Sequence, residues 1–181
     1  MNFCSHCGSN KLERRIPEGD NRLRVICTNC HTIHYVNPKV VVGCLAVWED
    51  KVLLCRRAIE PRLGYWNVPA GYLENGETAE AGAIREVEEE AAAKVDIRGV
   101  LTVYSLPHVN QVYIHFLADL KDGAFGVGVE SLESQLFSEA DIPWQDLAFT
   151  SSAFALKKYF ADRKDGLEQA HIGAFLKPKG Y

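Results

Sequence analysis

GYLENGETAEAGAIREVEEEAA, residues 71–92, decides how the rest of the chain is read. Thr78 suits an N-cap, and Glu80 falls in a first turn, where the helix dipole favours an anion; a helix is predicted from there to about Ala93. Late in that helix stand Glu86, Glu88, Glu89 and Glu90, with only Arg85 beside them. At about 100° per residue, Glu86, Glu89 and Glu90 share one face and Glu88 points away into solvent. Ile84, Val87 and Ala91 form a separate apolar stripe that can pack on a sheet. Ala79 and Gly82 lie earlier on the acidic face and leave room there. Like charges at this spacing repel, and the last turns of a helix disfavour anions. The spacing alone leaves two readings open. One is a hydrated acidic face. The other is half of a site completed by a hard divalent cation such as Mg²⁺ or Mn²⁺, which prefers carboxylate oxygen. In the second, Arg85 neighbours Glu89 and holds it in position.

Around this helix the pattern is α/β. KVVVGCLAVW (39–48) is a largely buried strand, Glu49–Asp50 a turn, and KVLLCRR (51–57) the hairpin partner. A loop rich in proline, glycine and aromatics follows at 59–77. Further strands are predicted at 95–104, 111–119 and 133–138, and a last helix across about 150–163. GAFGVGVES (123–131) reads as a mobile loop; no helix signal follows its G-x-G at the place a dinucleotide fingerprint needs. Cys44 and Cys55 sit in apolar runs and read as buried small hydrophobes.

Residues 1–36 form a separate module. Cys4-x-x-Cys7 and Cys27-x-x-Cys30 are two knuckles whose four thiolates complete a closed tetrahedral site, so structural Zn²⁺ is expected in a two- or three-stranded ribbon. So short a segment cannot build an adequate core, and the metal supplies much of its folding free energy. Four free or redox thiols are the alternative for this spacing. His6, His31 and His34 lie close by, but four thiolates already suffice.

The whole chain has 181 residues, 47% apolar and 24% charged, which suits a soluble globular protein with one core-building domain plus a small appendage. A net charge of −4 argues against broad nucleic-acid binding, and a net +2 on the ribbon is too mild to reverse that. The longest apolar runs fall short of the ~20 residues a membrane span needs. The start, MNFCSHCGSNK, lacks signal-peptide order, so a reducing, cytoplasmic setting is the expectation.

The stretch from Gly71 resembles the Nudix box: Glu77 after five residues, then Arg85, Glu86, Val87, Glu89 and Glu90. LCRR, GYW and PAG are similar to the usual approach to it, so the likeness runs from about residue 39 onward. Ala92 stands where the box has glycine and Ala93 where it has a larger aliphatic residue, which puts the exit of the helix in question. The resemblance implies a Nudix α/β/α sandwich with a mixed sheet over 37–181, preceded by the zinc ribbon. It implies hydrolysis of a nucleoside diphosphate linked to another group, with Glu86, Glu89 and Glu90 binding Mg²⁺ or Mn²⁺. Arg85 then orients these acids and Glu77 supports the loop before the helix. The general base is then a box glutamate or an acid from a later loop, and Glu130, in the glycine-rich loop, is the candidate for the latter.

A ribbon ahead of such a domain is similar to two groups, the NADH pyrophosphatases and the FAD/ADP-ribose pyrophosphatases. The segment ESLESQLF…IPWQDLAF resembles the second and lacks the motif of the first. That favours FAD (to FMN and AMP) or ADP-ribose (to AMP and ribose 5-phosphate). NADH is the alternative, as is a non-catalytic nucleotide sensor whose ribbon contacts nucleic acid; the complete acidic trio speaks for catalysis. Trp66 and Tyr72, among the aromatics Tyr65, Trp66, Tyr72, Tyr104 and Tyr113, are candidates to stack on substrate. Arg56 and Arg57 are candidates to reach a phosphate. A homodimer is implied by the resemblance alone.

Overall fold

The ten-residue apolar run ahead of the acidic stretch is the central strand of a sheet with a helix on each face. The computed structural model describes residues 1–166 and 168–177. It separates into two units, Met1–Asn37 and Pro38–Tyr181.

In the first unit, strands β1 (Leu12–Arg15), β2 (Arg24–Cys27) and β3 (Ile33–His34) pair antiparallel in the order β1-β2-β3. The two knuckles repeat one geometry. Gly8 N–H donates to the Cys4 carbonyl and His31 N–H to the Cys27 carbonyl, each at 2.9 Å. Both donors have positive φ, +73° and +60°. The turn after each cysteine pair therefore bends both thiols toward one point.

The second unit contains β4 (Lys39–Trp48), β5 (Lys51–Arg57), β6 (Trp66–Asn67), β7 (Ala70–Tyr72), helix α1 (Ala79–Ala91), β8 (Val95–Leu106), β9 (Gln111–Leu120), β10 (Ser131–Phe137), helix α2 (Thr150–Asp165) and β11 (His171–Ala174). The sheet runs β10-β5-β4-β9-β8-β11, with β6 on β5 and β7 on β4. The β4–β9 and β8–β11 pairs are parallel and the others antiparallel, so the sheet is mixed. Along β4, Val42, Cys44 and Ala46 face a core shared with Ala83, Val87 and Ala91 of α1. Leu45 and Val47 face a second core with Ala155, Leu156 and Phe160 of α2. Burial on both faces is why this strand reads as an unbroken apolar run. The α1 stripe that packs is Ala83–Val87–Ala91; Ile84, expected in it, is 36% exposed.

The hairpin β4–β5 opens almost at once. The strands pair only at Val47–Val52 and Trp48–Lys51. Beyond that, β7 takes the early part of β4 and β6 the end of β5. The chain at Pro69–Ala70 crosses directly over Gly43, where any Cβ would overlap it, and the Pro69 carbonyl accepts from Cys44 N–H at 3.2 Å. The loop expected at 59–77 thus contains two short strands wedged into the splayed hairpin, and they deliver Gly71 to the start of the acidic helix.

Helix α1 starts as expected, with the Thr78 hydroxyl accepting from Ala81 N–H at 3.2 Å. It ends at Ala91, and Ala92 adopts a left-handed conformation (φ +47°, ψ +36°). A left-handed alanine costs roughly 1 kcal/mol that glycine avoids. Part of that is offset by glycine's larger unfolded-state freedom. Ala92→Gly is therefore expected to stabilise the protein by up to ~1 kcal/mol, read as a rise in denaturant midpoint at unchanged m-value.

His115 on β9 is 1% exposed, and its Nδ1 lies 3.1 Å from the Thr102 hydroxyl while, among the described residues, Nε2 has no partner. Burial pushes its pKa down from 6.5 to about 4. The unfolded chain therefore takes up a proton near pH 6.5 that the folded chain refuses until about pH 4. Its contribution is complete above pH 6.5 and lost as pH falls to 4, on the order of 3 kcal/mol in all. Denaturation at pH 7 and pH 4.5 checks this: His115→Gln should flatten that part of the pH profile.

Candidate active site

Gly71 of β7 lies against the Glu86 carboxylate so closely that a Cβ there would overlap it. Glu86 and Glu90 are 8% and 7% exposed, while Glu89 and Glu88 face solvent. Small Gly82 makes room for the Glu77 carboxylate and the Val42 side chain, so the space expected on that face is filled by the chain itself.

Arg85 uses all five guanidinium donors. Nε and Nη2 bind the two Glu77 oxygens at 3.1 and 2.8 Å. Nη1 binds Glu86 at 2.7 Å and Glu89 at 3.0 Å. The last hydrogen of Nη2 reaches the Tyr72 carbonyl at 3.1 Å. Glu77 also accepts from Glu74 N–H at 2.7 Å, tying the loop before the helix to the same fork. Arg85 and then Glu74 N–H hold the Glu77 pKa down.

Among the described residues Glu90 has no such partner. Burial, and then the neighbouring Glu86 charge, push its pKa up to about 8; Arg57 pulls the other way, Glu130 adds to the rise, and Ala70 N–H offers a hydrogen bond. Glu86 is raised too, by burial above all, against the pull of Arg85. Glu130 acts on both acids, and the loop that carries it is fastened to α1. Gly126 N–H donates to the Ala91 carbonyl at 2.6 Å and Gly128 N–H to the Glu90 carbonyl at 3.0 Å. A Cβ on Gly128 would overlap the Glu89 carbonyl. These glycines satisfy carbonyls that a helix end leaves open, and they replace the mobility expected of the segment with a docked turn.

Arg57 is the other cation facing this group. Its Nε holds the Pro61 carbonyl at 2.9 Å, its guanidinium lies 5.1 Å from the Phe149 ring, and its charge reaches Glu90 and Tyr113. Arg56 turns away, to the Gly64 carbonyl at 2.9 Å and Glu133 at 3.8 Å. The Trp66 ring packs edge-on against Phe137 in the α2-side core, with centroids 4.8 Å apart. Arg62 lies over Tyr65 at 5.4 Å. Tyr72 is 47% exposed, and Tyr104 and Tyr113 are buried in a third cluster with Val41 and Leu106. The Gly71 contact, the docked loop and the Ala70 donor carry no signal in the local sequence.

Three carboxyls, Glu86, Glu90 and Glu130, therefore influence one another, two of them desolvated, and Arg85 binds Glu86 among them. Such a donor set fits a hard divalent cation. Among the described residues, these oxygens are not drawn onto one point as the cysteine sulfurs are. Arg85 keeps Glu89 on its own side.

In the ribbon, the sulfurs of Cys4, Cys7, Cys27 and Cys30 all lie within 4.8 Å of one another, and the Cys4–Cys30 and Cys7–Cys27 distances are 3.7 Å. Tetrahedral zinc with Zn–S of ~2.3 Å demands sulfurs about 3.8 Å apart, so the clustering of the four cysteines suits that ion. Cys30, beside the Thr32 hydroxyl at 3.2 Å, is lowered to about 6 by that bond and the Thr32 backbone. The three nearby histidines stay outside the set.

Comparison with known proteins agrees with this geometry. A family model described as Nudix N-terminal, a zinc ribbon, matches residues 2–36, and the NUDIX domain model matches 37–161. A crystal structure of a NUDIX hydrolase from Nitrosomonas europaea superposes with a TM-score of 0.92 at 54% identity, covering 97% of this chain and 99% of that one. An ADP-ribose pyrophosphatase of Methanocaldococcus jannaschii is 31% identical over 115 residues, 60% of this chain and 67% of that protein. An NAD-capped RNA hydrolase NudC of Photobacterium profundum is 29% identical over 144 residues, 77% of this chain but 50% of that protein. The chain spans about half the length of the NudC relatives it matches. No helix among the described residues is long and apolar enough to cross a membrane. With both family models matched in tandem and the buried acids in place, the chain belongs to the Nudix hydrolase family, as a pyrophosphatase that carries a four-cysteine ribbon ahead of its hydrolase unit.

Proposed function

We propose that this enzyme hydrolyses the pyrophosphate bond of ADP-ribose, to AMP and ribose 5-phosphate, or of FAD, to FMN and AMP. The observation that carries the reading is the buried Glu90 carboxyl flanked by Glu86 and Glu130 and, among the described residues, without a bonded cation of its own. Glu86, Glu89 and Glu90 hold Mg²⁺ or Mn²⁺, and Zn²⁺ sits in the ribbon. Bound there, the divalent ions neutralise the diphosphate and lower the pKa of water.

The chain's own residues do the rest. Arg85 fixes Glu86 and Glu89 so that neither collapses onto the other, and Gly71 lets β7 approach the acids. Arg57, whose charge reaches Glu90, pairs with a phosphate oxygen. Glu130 accepts the proton of the attacking water as its oxygen bonds to one phosphorus. The bond from that phosphorus to the bridging oxygen breaks, and two phosphomonoesters leave.

The M. jannaschii relative supports ADP-ribose as substrate, and it is matched over two thirds of its length. NADH and NAD-capped RNA are the competing substrates, suggested by the NudC relatives. The test is kcat/KM with Mg²⁺ for ADP-ribose, FAD, NADH and an NAD-capped oligonucleotide. ADP-ribose or FAD should lead by roughly tenfold or more. A lead for NADH or the capped RNA would replace the substrate, and no turnover on any would remove the reading.

A further inference from the structure

On the face of the sheet opposite α1, Tyr72, Val41, Tyr113 and Tyr104 are paired directly across β7, β4, β9 and β8. Directly paired residues present the same face, so three tyrosines form one row. The Phe154 ring of α2 closes that row, 5.0 Å from Tyr104. In the next row Gln111 lies between Lys39 and Leu106. Its amide bridges two tyrosines: Nε2 donates to the Tyr72 hydroxyl at 2.9 Å, and Oε1 accepts from the Tyr113 hydroxyl at 3.3 Å. The Lys39 ammonium lies 4.8 Å from the Tyr72 ring centroid. The β7 backbone borders the carboxylate site, because Arg85 holds the Tyr72 carbonyl and Gly71 lies against Glu86, while the Tyr72 side chain leaves the strand on the other face.

A glutamine amide has two N–H donors and two carbonyl lone pairs. The tyrosines take one of each and fix the orientation of the plane. One N–H and one lone pair remain, next to a half-exposed aromatic ring. Adenine presents the matching pair, the N7 acceptor and the N6 amino donor. Guanine presents two acceptors on the same edge, and its carbonyl oxygen would oppose Oε1. Resting on the reading of the site as one for ADP-linked substrates, we propose that Gln111 is its base-reading residue and selects adenine over guanine, with Tyr72 as the stacking surface.

A bidentate amide contact of this kind typically discriminates roughly 10- to 100-fold between bases. The test compares kcat/KM for ADP-ribose and its guanine analogue, and dissociation constants for AMP and GMP, in wild type, Gln111→Leu and Gln111→Glu. Wild type should prefer adenine about tenfold or more, and Gln111→Leu should compress that ratio to near unity. Gln111→Glu offers acceptors only, which suit the N1 and N2 hydrogens of guanine, so the preference should invert. A merely structural role predicts equal losses for both bases. An unchanged adenine preference in Gln111→Leu, or a Gln111→Glu variant that still favours adenine, overturns the assignment. If wild type turned over neither diphosphate, the proposed function would fall, and the AMP and GMP affinities would still decide the role of Gln111.

Discussion

Glu90→Gln lowers kcat on the preferred substrate by roughly three decades or more, the scale expected when a ligand of a catalytic metal is lost, yet it makes the metal-free protein more stable. The two effects have one cause. In the folded chain Glu90 titrates near 8, whereas a free glutamate does so near 4.5. A carboxyl whose pKa is raised on folding penalises the folded state at every pH above its unfolded value, by about 1.4 kcal/mol per pH unit until the folded value is reached. At pH 7 the penalty is on the order of 3 kcal/mol. Glutamine keeps the shape and has no proton to lose. In chelator the variant should therefore melt roughly 5 °C or more above wild type. Adding Mg²⁺ should raise the wild-type Tm and leave the variant's nearly unmoved. A variant with near-normal turnover, or one that melts lower without metal, would contradict the role given to this side chain.

The second large effect lies in the first unit. Its buried apolar residues are few: Pro17, Ile26 and the cysteines Cys4 and Cys27. Such a segment owes its fold to the ion, and structural zinc contributes about 10–16 kcal/mol in comparable small modules. Cys27→Ser should cut bound zinc from one per chain to less than about a tenth. Amide exchange across Leu12–His34 should then lose its protection. The hydrolase unit should keep its protection, because its three apolar clusters are built from residues 41–160. Zinc analysis and exchange mass spectrometry on one preparation check both halves. A ribbon that stays protected without metal would show that the thiols alone suffice.

What could be read beforehand was local. Thr78 as cap, Glu86 and Glu90 on one face, and the two cysteine knuckles all follow from spacings within one turn or one helix; Glu89, grouped with those two acids by the same spacing, instead faces solvent beside Arg85. The double-sided burial of β4 was legible as an unbroken apolar run. Strands β6 and β7 were not, since two or three residues show no alternation, and they exist only because the β4–β5 hairpin opens to receive them. Parallel strand β11 depends on its pairing with β8, a partner remote in the chain. Periodicity grouped Ile84 with Val87 and Ala91, but the helix is rotated so that the smaller Ala83 meets the sheet. The largest gap concerns residues 123–131. Their glycines suggested freedom, when what they permit is close approach to the carbonyls of α1. That approach is a tertiary fact with no local pattern.

Surface loops ordinarily accept extra residues at little thermodynamic cost. The stretch from Gly126 to Glu130 should not, because it is measured like a ruler between two fixed marks: the end of α1 at Gly128, and Ala58, whose N–H donates to the Glu130 carbonyl at 2.8 Å. One inserted residue adds up to ~3.5 Å of chain, enough to carry the Glu130 carboxylate out of reach of Glu86 and Glu90. Length variation among engineered or natural versions of this enzyme should therefore be tolerated elsewhere and punished here.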